Sequence, residues 1–212
     1  LSTMINALAT FHPNVDLLSM KDDIDSSATR LISIVRTLAA FAYKKSIGEP
    51  MVYPRHDLSY CANFLNMMFQ SPVRPYEIDQ DIVDALNLLL VLHADHEQNC
   101  STTTVRVIGS AQVNLYATIS AGISALSGPL HGGANQEVMN MLRLVESGKE
   151  TVDSLLSRAK DKQDAFLLMG FGHRIYKSYD PRARIIKAMC DKILAKLHVQ
   201  DPLLTIAREI EA

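Results

Sequence analysis

Stripes of apolar residues at helical spacing follow one another along most of this chain, and they end at Gly or Pro breaks. The clearest runs from Ala28 to Lys45, where apolar residues recur every three or four positions. Similar stripes follow within residues 58–68, 79–93, 138–145, 152–159 and 185–197. Residues 101–108 are rich in Thr and Val, which favour strands, but we expect a helix there too. The pattern predicts a compact all-α protein.

The residues between the stripes carry helix-start signals and one close-packing signal. Asp79, Asp180 and Asp201 each precede a stripe, where an Asp side chain can cap the first turn. Proline follows the last two, at the first helical position. Residues 111–126 are dense in Ala, Ser and Gly, so we expect helices to approach each other closely there.

Packing alone does not explain the stretch at 128–135, which reads Gly-Pro-Leu-His-Gly-Gly-Ala-Asn. Gly128 and Pro129 end the preceding helix, and Asn135 is expected to cap the next one. The two glycines after His131 let a substrate or another backbone come close, because they carry no Cβ. Residues 169–174, Met-Gly-Phe-Gly-His-Arg, repeat this pattern of a histidine on a glycine-loosened backbone.

Several ionisable side chains stand in or beside the apolar helical faces and suggest a site for an anionic substrate. Arginine offers a fixed fork for carboxylates, and histidine can donate a hydrogen bond to a carbonyl oxygen that gains charge. The residues concerned are His93, His96, Glu97, His131, His173, Arg174 and Arg182.

Two other functions compete with that interpretation. A metal-dependent hydrolase could use His93 and His96 as zinc ligands, although the His-Glu-x-x-His order is absent. A helical scaffold with incidental histidines would not account for two Gly-His loops. A dinucleotide loop at 170–172 is disfavoured, because the third Gly and the preceding strand are missing.

Composition narrows the partners and the compartment. The net charge is −2 and the pI about 6.4, with both signs interspersed, so nucleic acid is not an expected partner. Cys61, Cys100 and Cys190 lack the close pairs of a zinc site, and we expect buried thiols in a reducing compartment. No apolar run is long enough for a membrane span, which favours the cytoplasm. Because the chain starts at Leu1 and stops within a helical pattern, we expect an internal fragment.

Three long motifs, taken in order, resemble those of citrate synthases. They are residues 93–99 (His-Ala-Asp-His-Glu-Gln-Asn), residues 128–135, and residues 170–176 (Gly-Phe-Gly-His-Arg-Ile-Tyr) followed by Tyr-Asp-Pro-Arg at 179–182. The likeness covers nearly the whole chain and is closest to the bacterial, typically hexameric type. It implies a multi-helical fold in which residues 1–142 belong to a large helical domain and residues 143–212 to part of a smaller one. It also implies a homo-oligomer, either a dimer or a hexamer of dimers.

The resemblance also implies roles for individual residues. His131 would donate to the thioester oxygen of acetyl-CoA while its methyl group is deprotonated, and His173 would polarise the ketone of oxaloacetate. His96 and Arg182 would hold oxaloacetate, with His93 beside it. The backbone of Gly170, Phe171 and Gly172 would lie against CoA. No cofactor or metal is expected, because acetyl-CoA is a substrate and the histidines supply the polarisation.

The resemblance leaves one alternative substrate open and one residue missing. The related 2-methylcitrate synthases, which use propionyl-CoA, share the His131 motif but carry Tyr where His93 stands. Relatives have a carboxylate base in a Pro-Asn-Val-Asp stretch well after the motif at 170–182, and in this protein that stretch would lie beyond residue 212. The same four residues also occur at 13–16, but we reject Asp16 as the base because it precedes all three motifs. We therefore expect residues 1–212 alone to be inactive.

Overall fold

A computed structural model describes residues 1–12, 21–94, 98–172, 176 and 178–212. Within these ranges all regular secondary structure is helical, apart from a single β-bridge that joins Ser71 and Arg74. None of these helices has the length and apolar run that a bilayer-crossing segment needs. The all-α prediction is confirmed. The helices are α1 Ser2–Ala7, followed by a 3₁₀ turn at Leu8–Phe11, α2 Lys21–Ser46, α3 Tyr60–Phe69, α4 Gln80–His93, α5 Cys100–Ser110, α6 Leu115–Leu126, α7 Ala134–Glu146, α8 Val152–Lys160, α9 Pro181–Leu197 and α10 Pro202–Glu211.

Helix α5 forms despite its Thr and Val content because its ends and its neighbour favour a helix. The Asn99 side chain accepts a hydrogen bond from the Thr102 N–H at 2.9 Å and caps the first turn. Helix α6 packs closely beside it, since a Cβ added to Gly122 would lie 2.7 Å from Val105 Cγ2. The Ser101 hydroxyl also donates to the Gly122 carbonyl at 2.9 Å. The expectations of a helix at 101–108 and of close packing in 111–126 are both confirmed.

The predicted helix starts are confirmed at three sites and wrong at one. Asp79, Asp180 and Asp201 each accept a hydrogen bond from a backbone N–H in the first turn of the helix that follows. Asn135 does not cap α7, because that helix already begins at Ala134 with Gly133 in the N-cap position and no side-chain cap. The physical reason is that Gly133 lies directly against the backbone of Pro129 in the preceding turn, so the helix begins right after it.

The chain divides into two compact units, residues 1–126 and 127–212. Among its described residues, the first has two clusters of buried side chains: Ile5, Leu31 and Tyr116 in one, and Cys61, Ala62, Leu65 and Val83 in the other. The second is built on Met141, Leu142, Leu155 and Ile210. Side chains of α7 pack with those of α8 and α10 in this last cluster, so all of α7 falls in the second unit. The units therefore divide after residue 126, earlier in the chain than the predicted domain boundary after residue 142. The assignment of 1–142 and 143–212 to a large and a small domain stays a prediction.

The three cysteines differ in exposure. Cys61 is buried among the α3 and α4 side chains, and burial raises the pKa of its thiol. Cys190 is half-buried, whereas Cys100 is exposed in the first turn of α5. The expectation of three buried thiols is confirmed for Cys61 and met only in part by Cys190. It is wrong for Cys100, because the first turn of α5 leaves that position open to solvent.

Candidate active site

The turn that carries His131 is closed by its own backbone. The N–H groups of His131 and Gly132 both donate to the Gly128 carbonyl, each at 3.0 Å. Leu130 projects fully into solvent, while His131 is half-buried. The double hydrogen bond fixes the backbone that carries the imidazole just before α7 begins.

Gly133 is required by the same turn. A Cβ at this position would lie 2.3 Å from the Pro129 carbonyl oxygen and 2.7 Å from Pro129 Cα, closer than any real Cβ approaches backbone. The prediction that a glycine after His131 admits close approach is confirmed for Gly133, and the approaching group is the backbone of Pro129. Gly133 thus serves the geometry of the turn.

The glycines at 170 and 172 adopt backbone conformations that other residues avoid. Gly170 has φ +88° and Gly172 has φ +76°. A Cβ on Gly170 would also lie 3.1 Å from Val138 Cγ2. The two glycines therefore permit a tight, left-handed course of the chain directly beside α7.

That course forms one wall of a cleft of about 640 Å³ within the second unit. Met169 to Gly172 line it together with apolar side chains of α7 and α10, and Tyr176, Tyr179 and Asp180 add polar groups. Its size lies within the usual range of small-molecule sites, roughly 300–1,000 Å³. The cleft can bind a ligand that has an apolar portion. The backbone of Gly170 to Gly172 lines the cleft, where such a ligand can contact it.

Arg182 is held by the residue that caps its own helix. Its Nη2 donates to Asp180 Oδ2 at 2.6 Å, and its Nε donates to Oδ1 and Oδ2 at 3.1 and 3.2 Å. Asp180 Oδ1 also accepts from the Arg182 backbone N–H at 2.9 Å. The hydrogen bonds that Arg182 donates to Asp180 raise the pKa of the guanidinium further above its ordinary value, so Arg182 keeps its charge at any working pH. The guanidinium carbon also lies 5.8 Å from the centre of the Tyr176 ring.

Sequence reasoning identified Asp180 as a cap but missed its pairing with Arg182. The two side chains are each about a quarter exposed, at 26% and 25%. A signal was present: in Asp-Pro-Arg at a helix start, the arginine two positions after the cap can fold back onto the capping carboxylate. The pairing fixes the guanidinium beside the cleft that Asp180 lines.

His93 lies in the first unit, at the exposed end of α4. Its Nδ1 is 2.7 Å from the Leu89 carbonyl oxygen. Because a carbonyl can only accept, Nδ1 carries the proton. Neutral His93 then presents Nε2 as an acceptor, and only its protonated form offers a second donor to a carboxylate.

Other predicted residues lie outside the described ranges. These are His96 and His173 of the predicted site, with Asp16, Glu97 and Arg174. Among the residues that are described, no three His, Cys, Asp or Glu side chains lie close enough together to hold a metal ion. Since His96 and Glu97 are not in that set, the hydrolase alternative is untested by this observation.

Comparison with known proteins gives one consistent result. The family model for the citrate synthase C-terminal domain matches residues 1–212. Citrate synthase 1 of Mycobacterium tuberculosis, in strains CDC 1551 and H37Rv, is 49% identical over 213 aligned positions. That alignment covers 100% of this chain and 49% of the relative, so the chain spans about half the length of the curated relatives it matches.

Solved structures give the same result for the fold. Citrate synthase from Pyrobaculum aerophilum superposes with a TM-score of 0.78 at 35% identity, covering 99% of this chain and 50% of its own. Citrate synthase from Thermoplasma acidophilum, solved as a ternary complex with carboxymethyl coenzyme A and oxaloacetate, has a TM-score of 0.78 at 30% identity. That match covers 99% of this chain and 54% of the relative.

Proposed function

Because this chain belongs to the citrate synthase family, we propose that a full-length protein containing it condenses acetyl-CoA with oxaloacetate to give citrate and CoA. The observation that carries the proposal is the cleft beside Arg182. One wall of the cleft is the backbone of Gly170 to Gly172. The guanidinium of Arg182 is held beside the cleft by its ion pair with Asp180, which lines it. The complex of the Thermoplasma acidophilum enzyme with carboxymethyl coenzyme A and oxaloacetate supports these two substrate classes.

The reaction begins by making a weak carbon acid reactive. A base removes a proton from the acetyl methyl group while His131 donates a hydrogen bond to the thioester oxygen, which gains charge as the enol forms. We assign the base to a carboxylate beyond residue 212. His131 suits the donor role because its turn fixes the backbone and leaves the imidazole half-buried.

The enol carbon then attacks the ketone carbon of oxaloacetate, which His173 polarises, and a new carbon–carbon bond forms. The ketone C=O π bond opens and its oxygen takes up a proton, while the enol oxygen loses one as the thioester carbonyl re-forms. Arg182 and His96 hold oxaloacetate, with His93 beside it. Water then cleaves the thioester of citryl-CoA, which releases citrate and CoA. The CoA portion lies against Gly170, Phe171 and Gly172. Polarisation by the histidines makes a metal or other cofactor unnecessary in this scheme.

Finer features of the protein also belong to the proposal. We infer a bacterial enzyme of the hexameric type that works as a homo-oligomer in the cytoplasm, either as a dimer or as a hexamer assembled from dimers. Residues 1–142 would contribute to a large helical domain and residues 143–212 to a smaller one. These features follow from the resemblance of the three sequence motifs to bacterial citrate synthases and from the composition, and sedimentation of the purified full-length protein tests the oligomer.

The test is replacement of His131 by Ala in the full-length protein. Loss of one donor at a developing oxyanion lowers kcat by roughly 100- to 1,000-fold. Methyl deuteration of acetyl-CoA in D₂O, followed by NMR with oxaloacetate present, should fall in parallel with CoA release. The exposed His56 provides the matched control, because His56→Ala removes an imidazole from a surface turn. Unchanged deuteration in His131→Ala would remove His131 from the chemistry.

A further inference from the structure

One guanidinium contacts the chain on both sides of α8. The Nη1 of Arg158 donates to Glu150 Oε1, before the helix, at 3.0 Å. Its Nε donates to Asp164 Oδ2, after the helix, at 2.8 Å. The guanidinium carbon also lies 4.5 Å from the centre of the Phe166 ring. Arg158 therefore joins the segment that enters α8 to the segment that leaves it.

The partners of Arg158 are themselves anchored. The second oxygen of Glu150 accepts from the Ser154 hydroxyl at 2.7 Å, and the second oxygen of Asp164 accepts from the Phe166 N–H at 2.8 Å. Each carboxylate thus uses one oxygen for Arg158 and the other for its local backbone or side chain. The guanidinium, with its fixed fork of donors, sets the distance between the two.

The segment after α8 leads directly to the wall of the cleft. Phe166, Leu168 and Met169 pack against the Met141, Leu142, Leu155 and Ile210 cluster, while Leu167 between them is 74% exposed. This alternation is that of an extended chain, yet it pairs with no neighbouring strand in the described residues. Its position is set by the Arg158 contacts at one end and by the apolar side chains along it.

We propose that Arg158 is a positioning residue for the acyl-CoA wall: its contacts with Asp164 and Phe166 set where Met169 to Gly172 meet the cleft. The inference rests on the proposed function, since it assigns Gly170 to Gly172 to CoA. Arg158 lies outside the residues that line the cleft. It acts on acyl-CoA only through the segment it holds, and oxaloacetate binding by Arg182 depends on a different helix, α9.

The test compares Arg158→Met and Arg158→Lys in the full-length protein, with Arg143→Met as control. Methionine keeps much of the aliphatic stem and removes the donors, while lysine keeps the charge and loses the planar fork. Arg143 is an exposed arginine of α7. In Arg158→Met the KM for acetyl-CoA should rise by roughly three- to tenfold, because a displaced wall misplaces the thioester. The KM for oxaloacetate should stay within about twofold, and lysine should restore part of the difference.

A second measurement does not need turnover. Hydrogen exchange of backbone amides in residues 165–172 should quicken in Arg158→Met, while amides in α9 keep their protection. Equal increases in both KM values, or loosening spread over the whole second unit, would mean a general structural role and overturn the inference. Unchanged acetyl-CoA KM with unchanged exchange would overturn it as well. Wild-type protein that makes no citrate would refute the proposed function, and the exchange result would still decide the positioning role.

Discussion

Replacing Asp180 should separate two roles that one carboxylate combines. Its Oδ1 accepts from the Arg182 N–H and caps α9, and both oxygens hold the Arg182 guanidinium. Asparagine keeps a cap acceptor of the same reach but loses the charge and the second acceptor oxygen. Alanine loses both roles. The two variants therefore differ by the cap alone.

The expected magnitudes follow from the exposure of the pair. At about a quarter exposure on each side, the ion pair is partly screened, and its loss in Asp180→Asn should cost about 1 kcal/mol or less of unfolding free energy. Loss of an N-cap adds about 1 kcal/mol, with a range of roughly 0.5–2. Asp180→Ala should thus be destabilised by about 0.5–3 kcal/mol, more than Asp180→Asn.

Two assays read the two roles. Hydrogen exchange at the Arg182 amide should quicken in Asp180→Ala and stay near wild type in Asp180→Asn. Steady-state kinetics of the full-length protein should give a raised oxaloacetate KM in both variants, because the guanidinium is no longer fixed. Equal exchange in the two variants would refute the side-chain cap. A wild-type oxaloacetate KM in Asp180→Asn would refute the orienting role of the ion pair.

The remaining predictions concern the turn, the thiols and acid. Gly133→Ala should destabilise the second unit by about 1–3 kcal/mol in urea unfolding, because its Cβ would collide with backbone that cannot move without opening the turn. Under native conditions the exposed Cys100 should react with a thiol reagent well before Cys61, which is buried and whose thiol pKa is raised; mass spectrometry of the labelled peptides reads the order, and equal rates would contradict it. The hydrogen bond from Arg158 lowers the pKa of Asp164 below its ordinary value, so the stabilisation is present above the ordinary aspartate range and is lost as pH falls through the folded-state pKa. The protection factors of the amides in residues 165–172, taken relative to the intrinsic exchange rate, which itself slows in acid, should therefore fall as the pH is lowered. This fall should shrink in Arg158→Met.

Gly109→Ala is the control for the turn. Gly109 lies in the last turn of α5, and an added Cβ would make only an ordinary contact of 3.8 Å with Thr118 Cγ2. Alanine there should be neutral or stabilising by less than about 1 kcal/mol. If both alanine variants lost stability equally, the close approach of Gly133 to Pro129 would not be the cause.

Apolar spacing and breaks in the sequence predict helices α2 to α10 and three of their caps, but they give neither α1 nor the early start of α2 at Lys21. Periodicity and Asp-Pro pairs are local signals, so Asp180 and Asp201 could be assigned without knowledge of the fold. Asn135 was misassigned because the start of α7 depends on how closely Gly133 approaches Pro129. That distance is set by the turn as a whole.

The site was predictable in its motifs and less so in its contacts. The glycines at 170 and 172 were singled out from residue type alone, and their positive φ values give the reason for glycine. The hydrogen bond of Arg158 to Asp164 and its cation–π contact with Phe166 depend on the path of the chain after α8, which local sequence signals do not give. The exposure of Cys100 likewise depends on which side of α5 meets α6, and three scattered thiols carry no such information.

The most direct test of the proposed activity is the identity of the product. A full-length protein containing this chain would be incubated with oxaloacetate and either acetyl-CoA or propionyl-CoA, with a metal chelator present, and the products quantified by NMR. We expect citrate and CoA in equal amounts from acetyl-CoA, a slower reaction with propionyl-CoA, and no effect of the chelator. Faster formation of 2-methylcitrate, or activity that the chelator removes and zinc restores, would contradict the account.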